Sequence, residues 1–168
     1  LFGGGSNKTT VDAYDTSLTR TIPTPLSEAR EYLAATTVGN YALFGGGASD
    51  TPKATVDAYD TSLTRTIPTP LSEYRSYLAA TSVGNYALFG GGTPDNITDY
   101  STVDAYDTSL TRTVPTALSE TRYFLAATSV GNYALFGGGY GGSKPYSSTV
   151  DAYDTLLTRT ILTPLSVG

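Results

Sequence analysis

The sequence contains no cysteine, histidine, methionine or tryptophan. Without cysteine there is no disulfide, no thiolate-bound zinc and no thiol nucleophile. Basic residues are sparse as well: 10 Lys and Arg stand against 15 Asp and Glu, for a formal charge of −5. A phosphate backbone is repelled by such a chain, and no local cluster of Lys or Arg reverses that, so nucleic acid is excluded as a partner. No run of residues approaches the roughly 20 continuous apolar positions of a helical membrane span. Leu1 stands inside a repeated segment with no initiating Met or signal peptide before it, which reads as a trimmed or processed start.

What is present is repetition. The segment LFGGG begins at Leu1, Leu43, Leu88 and Leu135, at intervals of 42, 45 and 47 residues. TVDAYDT begins at Thr10, Thr55, Thr102 and Thr149, and LAAT at Leu33, Leu78 and Leu125. The repeats run over about 1–42, 43–87, 88–134 and 135–168. A period in the forties suits a four-stranded propeller blade or a two-helix solenoid unit. Helices are disfavoured by the Gly triplets, the β-branched Thr and Val, and Pro-rich stretches such as Ile22–Leu26.

Each repeat divides into four strand-sized pieces. In one copy these are Tyr32 to Val38, Tyr41 to Phe44, Thr55 to Tyr59 and Arg65 to Thr69. The Gly39-Asn40 link predicts a tight hairpin between the first two. Small Ala and Thr residues in the first strand suit a crowded axis, and the prolines after the fourth suit an unpaired outer edge. The fold class expected is all-β, four blades of four antiparallel strands. The first strand is supplied only three times, which suggests half of an eight-bladed ring or part of a longer array.

An apolar strand ending in Gly-Gly (Phe44-Gly45-Gly46), a Val-x-x-Tyr-Asp (Val56 to Asp60) and a Pro-containing stretch leading to Arg (Pro68 to Arg75, then Ala79-Ala80) together resemble the kelch repeat of β-propellers. The likeness covers every repeat, and the near-identical copies look like recently amplified propellers of bacterial or phage type. Where a kelch repeat usually carries Trp, this chain has Arg20, Arg65, Arg112 and Arg159. Some kelch propellers are copper oxidases or sugar-processing enzymes, but the His and Cys of a copper site are absent.

Antiparallel pairing puts the 2–3 turns and the 4–1 connections on one face of a disc, with the 1–2 and 3–4 turns on the other. The second set is nearly invariant between copies. The first varies: Ser6–Thr9, Ala48–Ala54, Thr93–Ser101 and Tyr140–Ser148 differ in length and content. Variable loops on a fixed platform suit contact with a protein or glycan, with Tyr74, Tyr100, Tyr123, Tyr140 and Tyr146 as anchors. Loops free to drift would vary in the same way.

Arg30, Arg75 and Arg122 recur before the first strand, where they suit an anionic ligand or a structural bond to Glu28, Glu73, Glu120 or to carbonyls of the next blade. The Asp12/Asp15 pair and its equivalents read as turn and cap residues rather than acid–base carboxylates. The Asp95–Asp99 loop lacks the spacing of an EF-hand, and Asn7 and Asn96 are formal glycosylation acceptors. No catalytic residue, metal site or cofactor is expected. The expectation is a non-catalytic binding module, with a passive structural disc or a sugar-processing enzyme as alternatives, and a homodimer or further blades as its structural partner.

Overall fold

The structure is a computed structural model, and it describes residues 1–95, 97–141 and 146–166. All its regular structure among these residues is β, arranged as four antiparallel sheets. The first has three strands, β1 (Phe2–Gly3), β2 (Val11–Tyr14) and β3 (Arg20–Thr21). The second runs β4 (Ala34–Val38), β5 (Tyr41–Gly45), β6 (Val56–Tyr59) and β7 (Arg65–Thr66). The third runs β8 (Ala79–Val83), β9 (Tyr86–Gly90), β10 (Val103–Asp107) and β11 (Arg112–Thr113). The fourth runs β12 (Ala126–Val130), β13 (Tyr133–Gly137), β14 (Val150–Tyr153) and β15 (Arg159–Ile161). Strand order follows chain order in every sheet, as up-and-down blades require.

The first strands β4, β8 and β12 lie side by side at the inside of the array, and their Ala-Ala-Thr sequences keep that region uncrowded. The hairpin at Gly39-Asn40 forms as expected, with Val38 opposite Tyr41 and Gly39 at φ 51°. At the 3–4 turn the Asp60 carboxylate accepts bonds from the backbone N–H of Ser62 and Thr64, each at 2.9 Å, and from the Ser62 hydroxyl at 2.7 Å. Those bonds hold its carboxyl below the usual range, the Ser62 hydroxyl contributing most.

Four strand boundaries depart from the sequence reading, two of them by one residue: the second strand gains Gly45 and the third begins at Val56, after Thr55. The inner strand begins at Ala34, not Tyr32, because Tyr32 sits at φ 56°, a left-handed conformation that interrupts extension. Tyr77 and Phe124 repeat this at φ 56° and 53°. The outer strand stops at Thr66 rather than Thr69, since Pro68 has no N–H to give the ladder. In the fourth sheet Leu162 replaces that proline, and there the outer strand gains a residue and Leu162 donates to the Val150 carbonyl at 2.9 Å.

The blades meet through one recurring contact. A Cβ on Gly45 would stand 2.7 Å from the Phe89 ring of the next sheet, and one on Gly90 would stand 2.8 Å from Phe136. Each Phe thus lies flat against bare backbone, which only glycine allows. Around it, Leu43, Val56 and Ala58 of the second sheet, with Leu71 of the connection that follows it, pack on Ala87, Phe89 and Tyr106 of the third. The third and fourth sheets repeat the arrangement with Leu88, Val103, Ala105 and Leu118 against Ala134, Phe136 and Tyr153.

Candidate functional site

The variable loops and the 4–1 connections do share one face. Backbone bonds stitch them together in the second, third and fourth blades: Glu31 with Ala48 at 2.8 Å, Ser76 with Thr93 at 3.0 Å, and Tyr123 with Tyr140 at 2.8 Å, each in both directions. The 2–3 loop is therefore held directly over the segment that leads into the inner strand.

On this face lies a continuous aromatic surface. Tyr32 and Tyr77 have ring centroids 4.3 Å apart, and Tyr77 and Phe124 are 4.4 Å apart. From Phe124 the contacts continue to Tyr123 at 5.0 Å, to Tyr140 at 5.5 Å and to Tyr146 at 5.7 Å. Backbone bonds fix the inner part, for Tyr77 N–H donates to the Tyr32 carbonyl and Phe124 N–H to the Tyr77 carbonyl, both at 3.0 Å. Three consecutive blades thereby present their left-handed aromatic residue side by side. A bulky side chain at positive φ costs on the order of 1–3 kcal/mol, so the arrangement is held against local preference. Desolvation pushes the Tyr77 hydroxyl above its ordinary pKa, and a hydrogen bond with Tyr32 adds to it. Its neighbour Tyr123 is raised too, by desolvation and then by Asp99 and Tyr140.

Of the five tyrosines that the sequence marks as anchors, the structure brings Tyr123, Tyr140 and Tyr146 together. Tyr74 is 68% exposed and Tyr100 half-buried, and neither joins the ring contacts among the described residues. Missed from the sequence were Tyr32, Tyr77 and Phe124, which were assigned to the inner strand. Their signal is the recurrence of an aromatic residue at one position in three copies, immediately before Leu-Ala-Ala.

Beside the aromatic surface, between the 2–3 loops of the second and third sheets, is a cavity of about 300 Å³. Tyr32 and Tyr77 line it together with the carboxylates Glu31, Asp50 and Asp95. The Asp95 carboxylate also caps its own loop, accepting from Ile97 N–H at 2.9 Å and Thr98 N–H at 2.7 Å. Asn96, the formal glycosylation acceptor, lies outside the described residues. No group of three or more metal-ligating side chains occurs among the described residues.

Arg30, Arg75 and Arg122 have no exposed surface. Of the two structural partners that the sequence suggests, the carbonyls of the next blade are the ones bonded, and the countercharge comes from an aspartate instead of the nearby glutamate. Arg75 donates to the Asp104 carboxylate at 2.6 Å and to the carbonyls of Thr102 and Phe89 at 2.9 and 3.2 Å. Arg122 does the same with Asp151 at 2.5 Å, and Arg30 with Asp57. Burial pulls all three guanidinium groups below the ordinary arginine range, and the aspartates oppose that. Each aspartate also meets the arginine that opens the outer strand: Arg65, Arg112 and Arg159 approach Asp57, Asp104 and Asp151 at 3.6, 3.3 and 3.5 Å. Ser27, Ser72 and Ser119 complete the cluster through N–H and hydroxyl bonds to the same carboxylates. Asp57, Asp104 and Asp151 are thus buried ion-pair hubs, Asp12 is a half-exposed partner of Arg20, and the second Asp of each pair is the turn cap.

No known family profile and no curated protein matches this sequence. A solved structure titled "Structure of YjhT" superposes on it with a TM-score of 0.75 at 12% identity, over 92% of this chain and 52% of that one. The fold is propeller-like. This propeller-like chain spans about half the length of that structure, and the likeness is one of fold alone.

Proposed function

We propose that the chain is a kelch-type, non-catalytic binding module whose loop face holds a neutral, hydroxyl-rich ligand, most simply a glycan. The observation that carries the reading is the six-ring aromatic surface from Tyr32 to Tyr146, open on the same face as the cavity that holds Glu31, Asp50 and Asp95. Sugar rings offer apolar C–H faces to aromatic planes and hydroxyl donors at their rims; the tyrosines supply the first partner and the carboxylates the second. An anionic ligand would meet those carboxylates and the net negative chain, which disfavours it. The four near-equivalent repeats favour repeated contacts over one special reacting centre.

The test is binding of the chain to an array of neutral oligosaccharides, followed by titration calorimetry on the hits. Tyr146→Ala and Tyr140→Ala should each weaken binding about tenfold or more, the scale of an aromatic anchor, and leave the circular dichroism unchanged. Replacing the Tyr140–Ser148 loop with the Ser6–Thr9 loop should abolish binding. Affinity indifferent to all three changes would overturn the reading, and capture of a protein instead of a glycan would replace the ligand class.

A further inference from the structure

We infer that the two end faces of the array are complementary halves of one blade–blade interface, and that they join head to tail between copies of this chain. In that contact Phe2 and Tyr14 of one copy seat on Gly137, Leu135 and Leu165 of the other.

The projecting half is already assembled. Inside the array, Phe44, Phe89 and Phe136 each meet the Tyr of their own blade edge-on, at 5.9, 6.0 and 6.0 Å and interplanar angles of 90°, 89° and 89°. Phe2 and Tyr14 hold the same geometry at 6.1 Å and 87°. Yet Phe2 is 70% exposed and Tyr14 52%, whereas Tyr59, Tyr106 and Tyr153 are at most 1% exposed. Leu18 is exposed too, while its equivalents Leu110 and Leu157 pack on the cores of neighbouring blades.

The receiving half is equally formed. The fourth sheet carries an apolar groove of about 210 Å³ lined by Ala126, Ala127, Thr128, Leu135, Gly137, Val150 and Leu165. These are the counterparts of the residues on which Phe89 and Phe136 sit. A Cβ on Gly137 would find nothing nearer than 3.6 Å, so the place filled by a Phe ring at Gly45 and Gly90 is open here. Next to it Val130, Tyr133 and Leu162 line a second cavity of about 260 Å³.

The polar bonds match as well. Tyr59, Tyr106 and Tyr153 each donate their hydroxyl to the carbonyl of Thr24, Thr69 or Thr116 in the incoming connection, at 2.7–2.8 Å. Tyr14 would find the same acceptor in Thr163, and Asp12, whose equivalents bind Ser27, Ser72 and Ser119, would find Ser166. Since the faces copy ones that already bind each other three times in this chain, a second copy is the occupant that fits without further adjustment.

The test is the mass of the chain by light scattering across a range of concentrations, for the wild type, Gly137→Val and Phe2→Ala. A particle of two chains is expected, and each substitution should raise its dissociation constant at least tenfold. Neither change should disturb the single chain: a Cβ at Gly137 makes only ordinary contacts and Phe2 is mostly in solvent, which circular dichroism and a thermal melt would verify. A single-chain mass at every concentration overturns the inference. So does an assembly that both substitutions leave intact.

Discussion

The buried arginines Arg30, Arg75 and Arg122 carry a cost that only their partners offset. Arg75 is wholly enclosed and its charge is answered by Asp104 together with two carbonyls, although its Nε has no partner. Removing Arg75 leaves the buried Asp104 with only Arg112 and Ser72 as partners, and breaking a buried ion pair typically costs about 3–5 kcal/mol. Arg75→Met should therefore lower the stability by that amount in urea unfolding. Arg75→Met combined with Asp104→Leu should recover part of the loss, since no uncompensated carboxylate then remains. A second residue-scale prediction concerns alkali. Desolvation, with Asp57 close by, pushes the Tyr59 hydroxyl up to about 12 from 10.0. Its folded pKa is raised, so its stabilising contribution is complete below about pH 10 and is lost as pH rises from there towards 12. Urea midpoints measured across that window should fall with pH, and less steeply in Tyr59→Phe. Gly90 gives a third prediction. Gly90→Val forces a side chain into the Phe136 ring and should lower the thermal midpoint by several degrees through overpacking of about 1–3 kcal/mol.

At the scale of the element, position in the array outweighs sequence. The strands β8 and β12 are the same pentapeptide, AATSV, but β8 is largely buried and β12 largely exposed. VDAY in β6 and β14 is buried throughout, while in β2 its tyrosine is exposed. The strands themselves were legible because short apolar runs between Gly, Asn and Pro leave little choice of structure. The ends of the inner strands were not, because a tyrosine in left-handed conformation has no local signature; its carbonyl accepts a bond from the next blade. The arginine partners were equally hidden, since Arg75 and Asp104 are 29 residues apart and nothing local favours Asp104 over Glu73. Of the site, the loop face and three of its tyrosines could be read from variation between copies, and the inner rings could not. The outer strand offers a direct check. Leu162→Pro removes the bond to Val150 and makes the fourth blade like the others, and should cost about 0.5–1.5 kcal/mol in urea unfolding.

For the whole molecule, blades that touch only their neighbours make stability a sum of local units and the junctions between them. The third sheet has a blade packed on each side, whereas the first and fourth each have one open face. Under conditions that keep the chain monomeric, amide exchange should be slowest in β9 and β10 and fastest in β1 and β12, read peptide by peptide by mass spectrometry. Uniform protection across all four sheets would contradict an additive array.

The Phe-on-Gly junction has a consequence at the level of the gene. Every blade offers its successor the same seat, so recombination between two repeats that lengthens the reading frame by one period yields a protein whose new member already has both of its contacts. No compensating substitution has to arise first, and copy number can change faster than the repeats themselves diverge.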